Sequence, residues 1–175
     1  TQAIKKLALE KAAAPGENFF LLPLDFTLQT LDQVLGGFAP FRKEKQTLLI
    51  MEGVLMYLEA DKVEATFSVA REYLGRGSMF AFTFMERDPA GRVRFKNGTL
   101  LVRLWLGVIG EPFKWGIPRV SLGSFLEKRG FRLRELATSQ TLKQRFLSSG
   151  NSHPLAEGEC MAVAEVGSPH PTVGL

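Results

Sequence analysis

Apolar positions along the chain follow two alternating rhythms. Residues 3–14 place Ile4, Leu7 and Ala8 on one stripe with lysines between, and Pro15-Gly16 stops them, which predicts a short amphipathic helix. Phe19 to Leu24 is an unbroken apolar run ending at Asp25, the pattern of a strand buried on both faces, although Pro23 weakens its end. Thr27 then stands where a helix N-cap belongs, with Leu28, Leu31 and Leu35 on one face and Gly36-Gly37 as the stop. Thr47 to Met51 predicts a second buried strand, closing at Glu52-Gly53. Glu59 and Asp61 open a helix in which Val63, Phe67, Ala70 and Leu74 recur at helical spacing until Gly75 and Gly77. Ser78 to Phe84 predicts an aromatic-rich strand, Ser124-x-x-Glu127 has capping-box form with Gly130 as a stop, and Phe131 to Leu136 and Cys160 to Val166 predict two last strands.

Strands alternating with helices imply an α/β fold, a mostly parallel sheet covered on both faces. Right-handed crossovers bring the C-terminal ends of parallel strands to one edge, where such sheets bind ligands. Asp25 and Glu52 stand at two of those ends. The stretch from Arg87 to Pro118 breaks the rhythm, holds both tryptophans, and is expected to form an insertion or lid over that edge of a single domain. Within it Leu100, Leu101, Leu104, Trp105 and Val108 recur at helical spacing, so part of it is expected to pack as a helix.

Composition narrows the classes. The chain has 175 residues, 45% of them hydrophobic and 23% charged, which suits one core-forming domain and not a disordered tail. Its apolar runs are far shorter than the roughly 20 residues that span a bilayer, so no membrane partner is expected. A net charge of +4 without a concentrated basic face gives no reason to expect nucleic acid. The single Cys160 cannot form an intramolecular disulfide, which favours a reducing, cytoplasmic compartment. His153 and His170 stand apart among Pro and Ser, so no metal site is expected. Gly75-Arg76-Gly77 follows a helix and precedes a strand, the reverse of the order a phosphate-cradling loop needs. Arg42, Lys43 and Lys45, interrupted by Glu44, suit a solvated loop.

A carboxylate at a strand end can accept hydrogen bonds from ligand hydroxyl or amino groups; it can equally cap a helix or turn. Spacing alone therefore supports an α/β ligand-binding domain and no particular reaction. The wording around Glu52 adds more. Met51-Glu52-Gly53-Val54-Leu55-Met56-Tyr57-Leu58 resembles the E-G-x-L-x-Y-L signature of the leucine carboxyl methyltransferase family, which uses S-adenosylmethionine. Thr1-Gln2-x-x-Lys5 resembles that family's stretch after its second strand. Leu22 to Phe26 resembles its V-x-x-D-L motif, with Phe26 for Leu. Gly110 to Gly116 is similar to its G-E-P-W-x-W-G segment, with Phe113 for Trp, and Leu126 to Phe131 fits the L-x-x-x-G-F that follows.

The resemblance implies a class I methyltransferase fold, a doubly wound Rossmann-like sheet whose last strand runs antiparallel. It implies that Asp25 and Phe26 meet the donor's adenine, that Glu52 and Gly53 meet its amino-acid or ribose portion, and that Tyr57 lines the reaction site. Arg92, Arg94 and Trp115 of the insertion are expected to face the methyl acceptor, a small molecule or peptide, through charge-assisted and apolar contacts. No catalytic acid or base stands out, in keeping with a displacement that depends on alignment and desolvation. The family's glycine-rich loop and first strands would precede Thr1, so the resemblance implies the C-terminal two-thirds of such a domain, its N-terminal strands missing from this chain. The expected activity is O-methylation of a carboxylate or hydroxyl. Two rivals remain: another nucleotide-binding α/β enzyme, and a non-catalytic relative acting as an interaction module.

Overall fold

Phe80, Phe82 and Phe84 alternate along one face of a strand, Phe80 and Phe82 meet Phe67 from the helix before it, and this aromatic contact organises the sheet. A computed structural model describes residues 20–26, 28–97, 112–147 and 155–167. The chain divides into two compact units, Thr1–Phe41 and Arg42–Leu175.

In the first unit the described residues form one short helix, α1 (Leu31–Gly36). Its N-cap is Thr30, whose extended backbone donates its N–H to the Gln33 side chain at 3.0 Å. The expected cap at Thr27 lies outside the described residues. Phe20 to Asp25 take no strand conformation, contrary to the run's apolar pattern. Pro23 offers no N–H for a ladder, and Leu22 stays exposed. Just beyond, the Asp25 carbonyl heads a turn, accepting the N–H groups of Leu28 and Gln29 at 3.0 and 2.8 Å. Phe20 and Phe38 meet edge to face, their centroids 4.9 Å apart.

The second unit holds the sheet: β1 (Leu48–Met51), β2 (Met79–Glu86), β3 (Gly116–Ile117), β4 (Phe131–Thr138) and β5 (Glu159–Val166). The order is β1-β2-β5-β4, with β3 paired to the end of β2. β1 runs parallel to β2, Leu48 opposite Met79 through Met51 opposite Phe82. β5 is antiparallel to both β2 and β4, as the resemblance implied for the last strand. The register on β4 shifts between Leu133 and Glu135, a bulge around Arg134, whose guanidinium pairs with Glu165 across the strands.

Helix α2 (Ala60–Tyr73) joins β1 to β2 and buries Val63, Thr66, Phe67 and Ala70. Phe67 lies 5.1 to 5.8 Å, centroid to centroid, from Phe80, Phe82, Phe125 and Phe131. Helix α3 (Arg119–Glu127) buries Leu122 and Leu126. It starts five residues before the expected Ser124 cap, because Pro118 supplies the preset φ of a helix entry. Ser124 sits inside the helix and turns its hydroxyl back to the Ser121 carbonyl. Helix α4 (Ser139–Phe146), absent from the sequence reading, starts at Thr138, whose hydroxyl accepts the Thr141 N–H. β1 also departs from expectation: Leu48 and Ile50 are 60% and 63% exposed, since one face of this strand has no cover among the described residues. The expected helices over 3–14 and 100–108 lie outside the described residues.

Candidate functional site

β1 and β2 are parallel; β1 ends at Met51, opposite Phe82, and β2 runs on to Glu86. Gly53 follows Glu52 with φ 65°, a left-handed conformation that glycine takes without strain, so the chain turns sharply off the sheet there. The Gly53 N–H donates to the buried Thr83 hydroxyl on β2 at 2.8 Å. A Cβ on Gly53 would meet nothing within 4 Å, so the space above the turn is open. Glu52 is exposed and has no hydrogen-bond or ion-pair partner among the described residues.

The turn continues into a 3-10 helix, Leu55–Tyr57, with Leu55 and Met56 buried. The Met56 carbonyl accepts the N–H groups of Lys114 and Trp115 at 2.9 and 3.2 Å. Lys114 also pairs with Glu59 at 3.0 Å. The two stretches that carry the most specific wording in the sequence, Glu52 to Leu58 and the end of Gly110 to Gly116, are thus sewn together. Tyr57 stacks at a tilt on Phe113, centroids 5.6 Å apart, and Phe113 meets Phe95 edge to face at 5.2 Å. Trp115 is only 6% exposed and packs on Phe125 of α3.

Beyond Thr83, the ends of β2 and β4 and the start of β5 enclose two adjoining cavities. One, of about 250 Å³, is lined by Glu52, Thr83, Leu142 and Met161; the other, of about 390 Å³, by Glu86, Lys96, Arg119 and Lys143. Ser139, Leu155, Glu159 and Cys160 line both. The larger is polar, and its central feature is Glu86, which takes a hydrogen bond from Lys96 and another from Arg119, each at 2.7 Å. Burial pushes the Glu86 carboxyl up, but the two cations outweigh it and hold the group below the ordinary carboxylate range. Glu86 in turn raises Arg119. Burial, with help from the Glu86 charge, pushes the Cys160 thiol up to about 11, so at neutral pH it is a protonated, unreactive wall group.

The stretch expected to form an insertion follows β2, which ends at Glu86. Its described start, residues 87–97, is tied to the segment leading into β5. Glu86 N–H donates to the Gly158 carbonyl, Lys96 N–H to that of Glu157, and Asn97 bridges Leu155 and Glu157. Within it Arg92 closes a small loop, its Nε on Asp88 at 2.7 Å. Arg94 is half-buried, and its carbonyl oxygen would lie 2.8 Å from a Cβ on Gly158. The structure therefore brings Glu52, Gly53 and Tyr57 to one strand-end edge and commits the Arg92 guanidinium to Asp88. Asp25 and Phe26 belong to the first unit, Asp25 exposed and Phe26 half-buried.

Sequence reasoning missed Thr83, Glu86, Lys96 as an ion-pair partner, and Arg119. A threonine within an otherwise apolar strand was the one available signal. Among the described residues no group of three or more His, Cys, Asp or Glu is placed to hold a metal ion, and no helix is long and apolar enough to cross a membrane.

Comparison with known proteins bears on the fold. Residues 1–70 match the family model described as Leucine carboxyl methyltransferase. No curated protein matches the chain. Among solved structures it resembles the mitomycin 7-O-methyltransferase, with 16% identity, 93% of this chain and 38% of that one covered, and a TM-score of 0.52. It also resembles the magnesium protoporphyrin IX methyltransferase from Synechocystis PCC 6803 with bound SAH, with 11% identity, 94% and 58% covered, and a TM-score of 0.51. The chain therefore spans less than two-thirds of the length of either structure. At these identities the likeness is one of fold.

Proposed function

We propose that this chain, which has the class I methyltransferase fold, belongs to an S-adenosylmethionine-dependent O-methyltransferase acting on a carboxylate or hydroxyl of a small molecule or peptide in the cytoplasm. One observation carries the reading. The Glu52–Leu58 and Pro112–Gly116 segments, held together at the Met56 carbonyl, stand at the end of parallel β1 and β2, beside open cavities. Residues 1–70, which include Asp25 and the whole Glu52–Leu58 segment, fall in the family match.

The residues present fit the donor. The open turn at Gly53 leaves room that a side chain would fill, and the exposed Glu52 carboxylate can accept from an ammonium or a ribose hydroxyl. Asp25, with Phe26, would hold an adenine by its exocyclic amine. When bound, S-adenosylmethionine supplies a methyl group on a positively charged sulfur. This chain's part is to bind, align and exclude water. Tyr57, Phe113 and Phe95 give an aromatic wall for the acceptor, and Lys96 and Arg119 keep Glu86 ionised beside the larger cavity. Arg94 and Trp115 complete the acceptor side in this reading, Trp115 by shaping the wall from behind, while Arg92 steadies the loop that presents it. An ionised carboxylate acceptor needs no base, which suits a site whose half-buried carboxylate Glu86 is held deprotonated by its partners.

Calorimetric titration with S-adenosylhomocysteine and, separately, NAD tests the reading in the whole polypeptide that contains this sequence. Micromolar binding of the first alone is expected. Asp25→Ala should weaken it roughly 10-fold or more, the scale of a hydrogen bond to a charged group, with the melting temperature preserved. Binding of NAD instead, or unchanged affinity with a lowered melting temperature, refutes the assignment.

A further inference from the structure

Thr83 is 5% exposed on a strand whose other residues, up to the terminal Glu86, are Met, Ala and Phe. A valine would fill the same volume there without burying a hydroxyl, so the oxygen needs a reason. The other buried hydroxyls on the described residues have local structural ones: Thr66 donates to the Lys62 carbonyl within α2, and Ser78 accepts the Thr47 N–H at the start of β1. Thr83 accepts the Gly53 N–H at 2.8 Å, which uses one lone pair and leaves its own proton without an acceptor among the described residues. The same side chain lines the 250 Å³ cavity with Glu52. Strand alternation puts it on the face opposite Phe82 and Phe84, and it lies one step beyond the Met51–Phe82 pair, level with Glu52.

We infer that Thr83 is a positioning residue for the amino-acid end of the methyl donor, its oxygen fixing the Glu52–Gly53 turn and its proton donated to a donor oxygen in the cavity. The inference rests on the methyltransferase reading above and adds a residue and a ligand end to it. One hydroxyl then performs two tasks. It sets the direction of Glu52, the carboxylate expected to meet the donor's ammonium or ribose. It also supplies a neutral hydrogen-bond donor from a buried wall, where such a bond is stronger than in water.

The test compares two ligands that differ only at the inferred contact. S-adenosylhomocysteine carries the amino-acid end; 5′-methylthioadenosine lacks it. Both are titrated by calorimetry into the whole polypeptide in its wild-type, Thr83→Val and Thr83→Ser forms. Thr83→Val should weaken S-adenosylhomocysteine by roughly 10-fold while leaving 5′-methylthioadenosine within about twofold, and Thr83→Ser should restore the first to within about threefold. If Thr83→Val does not fold, Thr83→Cys, whose thiol is a poor donor, should show the same ligand-selective loss. Equal losses for both ligands, or none, overturn the inference and leave Thr83 structural. Failure of the wild type to bind either ligand overturns the methyltransferase reading itself, and this inference with it.

Discussion

A Cβ built on Gly116 would lie 2.6 Å from the Met85 carbonyl oxygen and 3.0 Å from a Val93 methyl carbon. The first neighbour is backbone held in the β2–β3 pairing and cannot swing aside. Gly116→Ala should therefore destabilise the fold by roughly 1–3 kcal/mol, the usual range for overpacking. Urea unfolding monitored by tryptophan fluorescence measures it, Trp115 being the adjacent reporter; a change under about 0.5 kcal/mol would mean the strand pair yields. The motif's glycine was legible as a motif position, but its cause was not, because the clash comes from Met85 and Val93, 31 and 23 residues away. Thr83 and Glu86 were illegible for the same reason. A single Thr or Glu in a strand is ordinary, and only the register that sets Thr83 beside Gly53 and Glu86 between Lys96 and Arg119 gives them a task.

At the scale of elements, α2 and β2 were readable because each carries its pattern in full: helical spacing from Val63 to Leu74, and a continuous apolar strand buried on both faces. Phe67 joins them. Replacing it by alanine removes a ring that touches four others, and Phe67→Ala should cost roughly 3–5 kcal/mol in denaturant unfolding. A loss below about 1 kcal/mol would show that α2 is held by its other buried positions instead. The errors fall where local signals compete. Ser124-x-x-Glu127 has the residues of a helix start, yet Pro118 opens the helix earlier and Ser124 bonds within it. Helix α4 is too polar, with too few apolar positions, to announce itself; it forms on a cap, Thr138, and its Leu142 lines the smaller cavity along with Met161.

Across the second unit, charge links elements distant in sequence. Glu86 on β2 joins Lys96 of the insertion to Arg119 of α3, and Arg129 beyond α3 joins Glu64 of α2. Because the folded Glu86 carboxyl sits below its unfolded value, its contribution is complete above the unfolded pKa and is lost as pH falls through the folded one. Glu86→Gln should thus lower the melting temperature most near neutral pH, and the gap to the wild type should narrow as pH falls below the ordinary carboxylate range. Thermal melts of both proteins over that fall in pH check the sign; a gap that does not change with pH would mean the ionised form contributes nothing. Surface pairs such as Lys43–Glu72 are more exposed and are expected to contribute little.

The sequence by itself determined the α/β class, the aromatic core strand, α2, and the strand-end place of Glu52. Those follow from periodicity and chain order, which local side-chain chemistry dictates. Its wording also singled out the two segments that the structure joins at Met56. Only the tertiary structure decided which side chains share a cavity, because that depends on strand order and register. Placing β5 between β2 and β4 brings Cys160 beside Glu86 and Arg119, and pairing β1 with β2 brings Gly53 onto Thr83. No spacing along the chain encodes such neighbours; they exist only once the sheet has closed its hydrogen bonds.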